Sequence, residues 1–411
     1  MNTVLSPAVK QYLIVTGNYW AFTLTDGALR MLVVLHFHQL GYSPLAIAML
    51  FLFYEFFGVV TNLFGGWLGA RMGLNRTMNV GLGIQVFALL MLTVPAEMLT
   101  VAWVMAAQAL SGIAKDLNKM SAKSSIKMLV PKNADSTLYK WVAFLTGSKN
   151  TLKGAGFFMG GGLLTLLGFK DAMIAMAAVL AVIWLLSIIL LKEDLGKAKN
   201  KPKFKDIFSK SRAINILSAA RMFLFASRDV WFVVALPVFL SQQFNWNFWQ
   251  VGGFLATWII AYGVVQSFAP RITQSGSHPP GGLAAMTWAI LLAIIPGAIA
   301  LGFHLDWPIK ETLLGGLILF GFVFAVNSSL HSFLIVRYAS DDGVSLDVGF
   351  YYMANAMGRL VGTVLSGWLF QAYGLAVCLW VSTLFIALTA LISIALPRSH
   401  TELDHASKQS A

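Results

Sequence analysis

The sequence is short of charge, and shorter still of acids. Only 11% of its 411 residues are Asp, Glu, Lys or Arg, less than half the ~25% of a typical soluble domain. Asp and Glu together number 17. So few charges cannot coat a water-facing globule. With a mean hydropathy of +0.73, the chain is neither disordered nor an ordinary soluble enzyme. Cysteine occurs once, as Cys378 inside an apolar run, which excludes an intrachain disulfide and a cysteine metal cluster. No glycine-rich loop ends in Gly-Lys-Ser/Thr, so the phosphate cradle of a primary ATPase is missing. No nucleophile–base constellation stands out. Catalytic residues, a metal site and a cofactor are therefore not expected. The first apolar run follows Lys10 and contains Asp26 and Arg30. It is too long and too polar for a cleaved signal peptide and reads as a retained helix.

What the chain has is apolar surface: 58% of its residues. It falls into runs at 12–38, 45–69, 77–95, 99–121, 139–167, 171–191, 213–240, 248–270, 282–303, 311–337, 348–372 and 375–396. Turn-forming clusters separate many of them, such as Gly41-Tyr42-Ser43-Pro44 and Ser277-His278-Pro279-Pro280. Each run is long enough to cross a bilayer core of about 30 Å. The expected fold is an all-α membrane protein of twelve transmembrane helices in two six-helix bundles. Its expected parts are an N-terminal bundle (1–191), a basic linker (192–212), a C-terminal bundle (213–397) and a tail (398–411).

The formal net charge is +12, and part of it concerns topology. The linker carries eight cations and three acids and reads as a solvated cytoplasmic segment, not a nucleic-acid site. With the N-terminus inside, the inner loops hold Arg71, Arg76, Lys132, Arg271, Arg398 and the linker, whereas the outer loops hold Lys170 and Lys310. The positive-inside bias therefore places both termini in the cytoplasm. The halves also look related. Span one has Arg30 before Val33-Val34, and span seven has Arg228 before Val233-Val234. Spans five and eleven end in the similar segments 160–169 and 367–374. A repeat of this kind suggests two bundles around a pathway with a site near the bilayer midplane.

The remaining charge lies inside the spans. Arg30 is in span one, Lys115 and Lys119 in span four, and Lys149 and Lys153 in span five. Arg221 and Arg228 are in span seven and Arg359 in span eleven. A cation facing lipid at a helix centre costs ~2.5–3.5 kcal/mol. Eight of them would cost on the order of 20–28 kcal/mol, beyond the ~5–15 kcal/mol margin of a fold. They must line a wet cavity or pair with acids. Lys115, Lys119, Lys123 and Lys127 step by four and drift round one helix face, the last two reaching the cytoplasmic interface. The acids in the spans are Asp26, Glu55, Asp116 and Asp229, as charge partners or carriers of a coupling proton. Asp26 and Arg30 have the spacing of an intrahelical pair. The cations outnumber these acids, so the pathway attracts anions. Arginine forks suit phosphate or carboxylate oxygens. Asn327 and His331 in span ten are further candidates for substrate binding. For single residues, a structural pair, an interfacial anchor or plain packing competes with a binding role.

The segment Gly66-Trp67-Leu68-Gly69-Ala70-Arg71-Met72-Gly73-Leu74-Asn75-Arg76 resembles the loop signature of the major facilitator superfamily. That pattern places Asp where this chain has Ala70, so its gating salt bridge is lost. Gly66, Gly69, Arg71, Gly73 and Arg76 are the candidate gate. The segments at 15–44, 108–127, 145–154 and 208–221, within an overall similarity over about residues 8–397, resemble the ArsJ-type organoarsenical efflux permeases of that superfamily. The resemblance implies a major facilitator fold and export of 1-arseno-3-phosphoglycerate from a bacterial inner membrane. It implies glyceraldehyde-3-phosphate dehydrogenase as the functional partner that makes the substrate, and a gain of arsenate resistance. Organophosphate exchangers of the superfamily grip phosphate with an arginine on helices one and seven, which points to Arg30 and Arg228, with Arg221 as an alternative. A monomer, coupled to protons or exchanging anions as an antiporter, is expected. Exchange or uptake of ordinary organophosphates or phosphate stays open, as does a non-transporting anion receptor.

Overall fold

The computed structural model describes residues 6–42, 50–191, 195–199, 202–203, 208, 210–273 and 279–397. Ser43-Pro44, the start of span two, much of the linker, Ser277-His278, Arg398 and the tail lie outside the described residues. Twelve α-helices and one short 3-10 turn make up the described fold. In chain order they are α1 Pro7–Gln39, α2 Leu52–Met72, α3 Leu74–Met91, α4 Val101–Leu129, α5 Asp135–Leu190 and α6 Arg212–Phe232. They continue with α7 Ala235–Phe244, α8 Phe248–Thr273, α9 Gly282–His304, α10 Ile309–Tyr338, α11 Val344–Tyr373 and α12 Leu375–Ser393.

Local chemistry sets the ends. Ser6, Thr100 and Ser211 cap α1, α4 and α6 by accepting the N–H of Val9, Trp103 and Ile214, each satisfying one of the unpaired donors of a first turn. Gly73, at φ +92°, turns the chain between α2 and α3. The expected spans five and six are one 56-residue helix broken at Gly168, where φ is 76° and ψ is 177°, a conformation glycine reaches without steric cost. Span seven is divided instead. Helix α6 ends at Phe232 and α7 starts at Ala235, whose N–H is taken by the Ser366 hydroxyl at 3.1 Å. With α5 as two arms and α6–α7 as one span, twelve segments result, as the apolar runs predict.

Six of the described segments are apolar and long enough to cross a membrane by composition alone, the second arm of α5 among them. That arm leaves Val179, Val182, Leu185, Leu186 and Ile189 more than half exposed, a face suited to hydrocarbon and not to water. Helices α4 and α10 are the reverse. Every residue from 323 to 336 is buried, although Asn327, Ser328, Ser329, His331 and Ser332 lie in that stretch. Over that stretch α10 faces protein on all sides.

Packing divides the chain into two units. One comprises residues 1–134, 148–208 and 339–353; the other comprises 135–147, 209–338 and 354–411. In the first unit, α1 and α5 touch backbone to backbone: a Cβ on Gly27 would lie 2.7 Å from the Lys153 carbonyl oxygen. Asn18 donates to the Ser187 hydroxyl at 2.8 Å, and Ser187 in turn donates to Asn79, joining α1, α5 and α3. The core of the second unit is aromatic, with Trp231 against Phe320 at 5.0 Å and Phe225 against Phe324 at 5.3 Å. Cys378 is buried in that unit, with no exposed surface.

Candidate functional site

In the first unit the charges assemble around Tyr54 of α2. Small residues make this possible. A Cβ on Gly112 of α4 would sit 2.7 Å from the Tyr54 carbonyl oxygen, and one on Gly58 would meet Asp116 at 3.0 Å. The Arg30 guanidinium carbon lies 4.0 Å and the Lys115 Nζ 3.9 Å from the centre of the Tyr54 ring. A ring face attracts cations through its quadrupole. The Tyr54 hydroxyl donates to Asp26 Oδ1 at 2.8 Å. Arg30 Nη2 donates to Glu55 Oε1 at 3.1 Å. Asp116 receives Lys119 at 2.5 Å and has Lys115 at 3.7 Å.

The expected Asp26–Arg30 pair is therefore replaced. Arg30 leans across to α2, while Asp26 meets Tyr54 and the Lys153 ammonium, 3.9 Å away. A second correction concerns Lys123, expected at the cytoplasmic interface. It is buried, 3% exposed, with its ammonium 5.4 Å from the Tyr352 ring centre, beside Lys119 at 4.5 Å from the same ring. Lys127 lies 3.9 Å from Asp341, in the turn between α10 and α11. Lys149 donates to its neighbour Asn150 at 3.2 Å.

In the second unit the centre is Asp229, fully buried. One carboxylate oxygen takes Arg228 Nη2 at 2.5 Å and the other takes Arg359 Nε at 3.1 Å. Arg359 reaches it because α6 and α11 are in backbone contact: a Cβ on Gly358 would strike the Met222 backbone, and one on Gly362 would lie 3.0 Å from Asp229 Cβ. Arg221 donates to Asn355 Oδ1 at 2.8 Å and to the Ser328 carbonyl at 3.2 Å. The Phe225 ring carries Arg221 at 3.9 Å and Arg228 at 4.9 Å. Asn327 spends its amide nitrogen on the carbonyls of Trp288 and Val323. His331 is fully buried. Tyr54, Phe225, Tyr352 and Asn355 were not legible as site residues, because an uncharged side chain in an apolar run carries no mark of its partner.

The candidate gate lies in the first unit. A Cβ on Gly66 would be 2.5 Å from the Ser345 carbonyl oxygen and 3.1 Å from Gly349 Cα. The Ser345 hydroxyl donates to the Gly66 carbonyl at 2.8 Å. Gly69 also faces Ser345. Arg71 and Arg76 are exposed, Arg71 lying over the Trp67 ring at 4.8 Å. Where the superfamily pattern has a carboxylate, the buried Ala70 offers its carbonyl to the N–H of Ala198 at 2.8 Å. The N–H of Leu74 donates to Leu195 at 2.8 Å, and Trp67 donates to the Pro202 carbonyl. The linker is thus hydrogen-bonded along this turn.

Close by, Asp341 pairs with Lys132 at 2.7 Å, and Asp342 accepts the Lys199 N–H at 2.9 Å. The hydrogen bond from Lys132 holds the Asp341 carboxyl below its ordinary value, against an opposing push from burial and with help from Lys127.

This arrangement, helices long enough to span a bilayer with ion pairs buried between them, defines a multi-pass membrane protein of the transporter type. The sequence profile of the Major Facilitator Superfamily matches residues 12–303, and the chain belongs to that superfamily. No curated protein matches it. Among solved structures, it is similar to the human organic anion transporter MFSD10 (TETRAN): 17% identity, TM-score 0.75, covering 95% of this chain and 100% of that one. A bacterial homologue of the iron transporter ferroportin in its outward-facing state is similar too, at 14% identity and TM-score 0.74, covering 93% and 98%. The proton:xylose symporter XylE follows the same fold, with 11% identity and TM-score 0.72, covering 94% and 95%. At such identities the likeness is one of fold. The chain is a superfamily transporter of a small molecule.

Proposed function

We propose that this transporter exports 1-arseno-3-phosphoglycerate from the bacterial cytoplasm across the inner membrane by alternating access, conferring resistance to arsenate. One observation carries the reading: arginines and lysines of both units sit inside membrane helices, gathered round four carboxylates. Arg30, Lys115, Lys119, Lys153, Arg228 and Arg359 are each partly or wholly withdrawn from water beside an internal carboxylate, whereas Lys149 and Arg221 rest on neutral groups. An incoming oxyanion takes the place of that carboxylate, so binding exchanges one ion pair for another and no bare charge is left behind. Arg30, Lys115, Lys119, Lys149 and Lys153 of the first unit, and Arg221, Arg228, Arg359, Asn327 and His331 of the second, are the side chains offered to the anion. Asp26, Glu55, Asp116 and Asp229 are the internal counter-charges and the groups open to a coupling proton. An organic anion transporter among the structures of like fold fits an anionic cargo.

Export also runs with the membrane potential. An inside-negative potential drives each negative charge outward by ~2.3 kcal/mol per 100 mV. Glyceraldehyde-3-phosphate dehydrogenase supplies the arsenylated product. Both termini lie in the cytoplasm, and the chain works as a monomer. Cells expressing the transporter with the dehydrogenase are expected to grow in arsenate and release arsenic, whereas cells with either alone are not. The Lys149→Ala, Arg228→Ala double variant, inserted normally, should lose that release. Wild-type release by this variant would defeat the cationic-site reading.

A further inference from the structure

We infer that the anion group received in the second unit carries a hydroxyl, as hydrogen phosphate does, and that His331, with Ser218 and Ser332, recognises it. The inference rests on the anion-transport reading above and names which kind of anion.

The placement comes from helix register. Helices α6 and α10 run antiparallel and meet at Trp231 with Phe320, Phe225 with Phe324, and Arg221 with the Ser328 carbonyl. From Phe225 to Arg221 the chain goes four residues back along α6, and from Phe324 to Ser328 four forward along α10, about one turn each. Continued by one more turn, the same register brings Ser218 to the level of His331 and Ser332, one turn beyond Arg221. Ser218 is 2% exposed, and His331 and Ser332 have no exposed surface. Among the described residues, neither ring nitrogen of His331 has a hydrogen-bond partner, nor does either serine hydroxyl. Buried groups of this kind are normally paired, and a chain with four such atoms on one level is built to receive something polar there.

The donor and acceptor inventory then selects the ligand. Arg221 offers only donors. A neutral imidazole offers one donor and one acceptor, and a serine hydroxyl offers both. A fully ionised oxyanion has acceptors alone and offers nothing to the acceptor nitrogen of His331, which must then take a serine hydroxyl's hydrogen away from the anion. An oxyanion that keeps one O–H satisfies both kinds of group. Hydrogen phosphate has that O–H and sulfate does not, though their sizes and shapes are close.

The test is calorimetric titration of the purified protein with sodium phosphate and with sodium sulfate at equal ionic strength and neutral pH. Phosphate is expected to bind at least about tenfold more tightly, because a site built to pair a ligand O–H rejects the analogue without one. His331→Gln, which keeps a donor and an acceptor, should preserve the preference. His331→Leu should abolish it, and Ser332→Ala, a smaller change, should narrow it. Equal binding of the two anions by the wild type overturns this inference alone. So does an undiminished preference in both His331→Leu and Ser332→Ala. Binding of neither anion overturns it together with the anion-transport reading.

Discussion

Tyr54 donates its hydroxyl hydrogen to Asp26 at 2.8 Å while Arg30 and Lys115 lie over its ring. One neutral side chain of α2 thereby organises an acid and a cation from α1 and a second cation from α4. Its hydroxyl is what keeps Asp26 paired on the side away from Lys153. Tyr54→Phe keeps the ring and removes the hydrogen bond. The expected loss is roughly 1–3 kcal/mol of stability, the cost of an unsatisfied buried acceptor, with weakened transport. Unfolding of the purified variant in detergent at the wild-type midpoint would contradict it.

Asp229 compensates two arginines at once. Asp229→Ala leaves the half-buried Arg228 and Arg359 without their carboxylate, and truncating one member of a buried ion pair costs ~3–5 kcal/mol. Arg359→Ala should cost less, because Arg228 remains on the carboxylate. Adding Arg228→Ala and Arg359→Ala to Asp229→Ala should restore part of the lost stability. Thermal unfolding of the four proteins gives the order directly, and a triple variant weaker than Asp229→Ala alone would refute it.

Gly349 offers a steric test of the gate. A Cβ there would lie 2.6 Å from the Asn62 carbonyl oxygen and 2.8 Å from Gly66 Cα, both backbone atoms that cannot rotate away. Gly349→Ala is expected to cost about 1–3 kcal/mol by overpacking and to slow transport. Gly367, on the same helix, has open space at its Cβ. Gly367→Ala should be neutral or stabilising by up to ~1 kcal/mol from helix propensity. Equal melting temperatures for the two variants would count against the close crossing.

The Asp341–Lys132 pair sets a pH dependence. The folded carboxyl titrates below its ordinary value of 3.8. Its stabilisation is therefore complete above that value and is lost as pH falls through the depressed one. The pair is largely solvent-exposed, so solvent screening keeps its contribution small. Between pH 6 and pH 3 the wild type should lose more stability than Asp341→Asn. Parallel losses in the two proteins would show that Asp341 takes no part.

Apolar runs foretold the helices well, because a bilayer imposes a minimum length that composition alone reports. The break in span five–six at Gly168 and the division of span seven were less visible, since they depend on one backbone angle and one capping hydroxyl. The intramembrane cations were legible because their cost forces them inward. Their partners were not. Arg30 and Asp26 satisfy an intrahelical spacing, yet Glu55 and Tyr54 win by reaching them from α2. Lys123 reads as interfacial from its place near a helix end and is instead enclosed beside Tyr352. Spacing along one helix cannot show which neighbour arrives from another.

The single cysteine has a practical meaning for all of these experiments. Cys378 has no exposed surface, so thiol reagents in water or lipid find no native target on the folded chain. A reporter cysteine placed at Gly367 or Arg76 would take up a fluorophore or spin label alone, without prior removal of the native thiol. The natural sequence is ready for distance and accessibility measurements during a transport cycle.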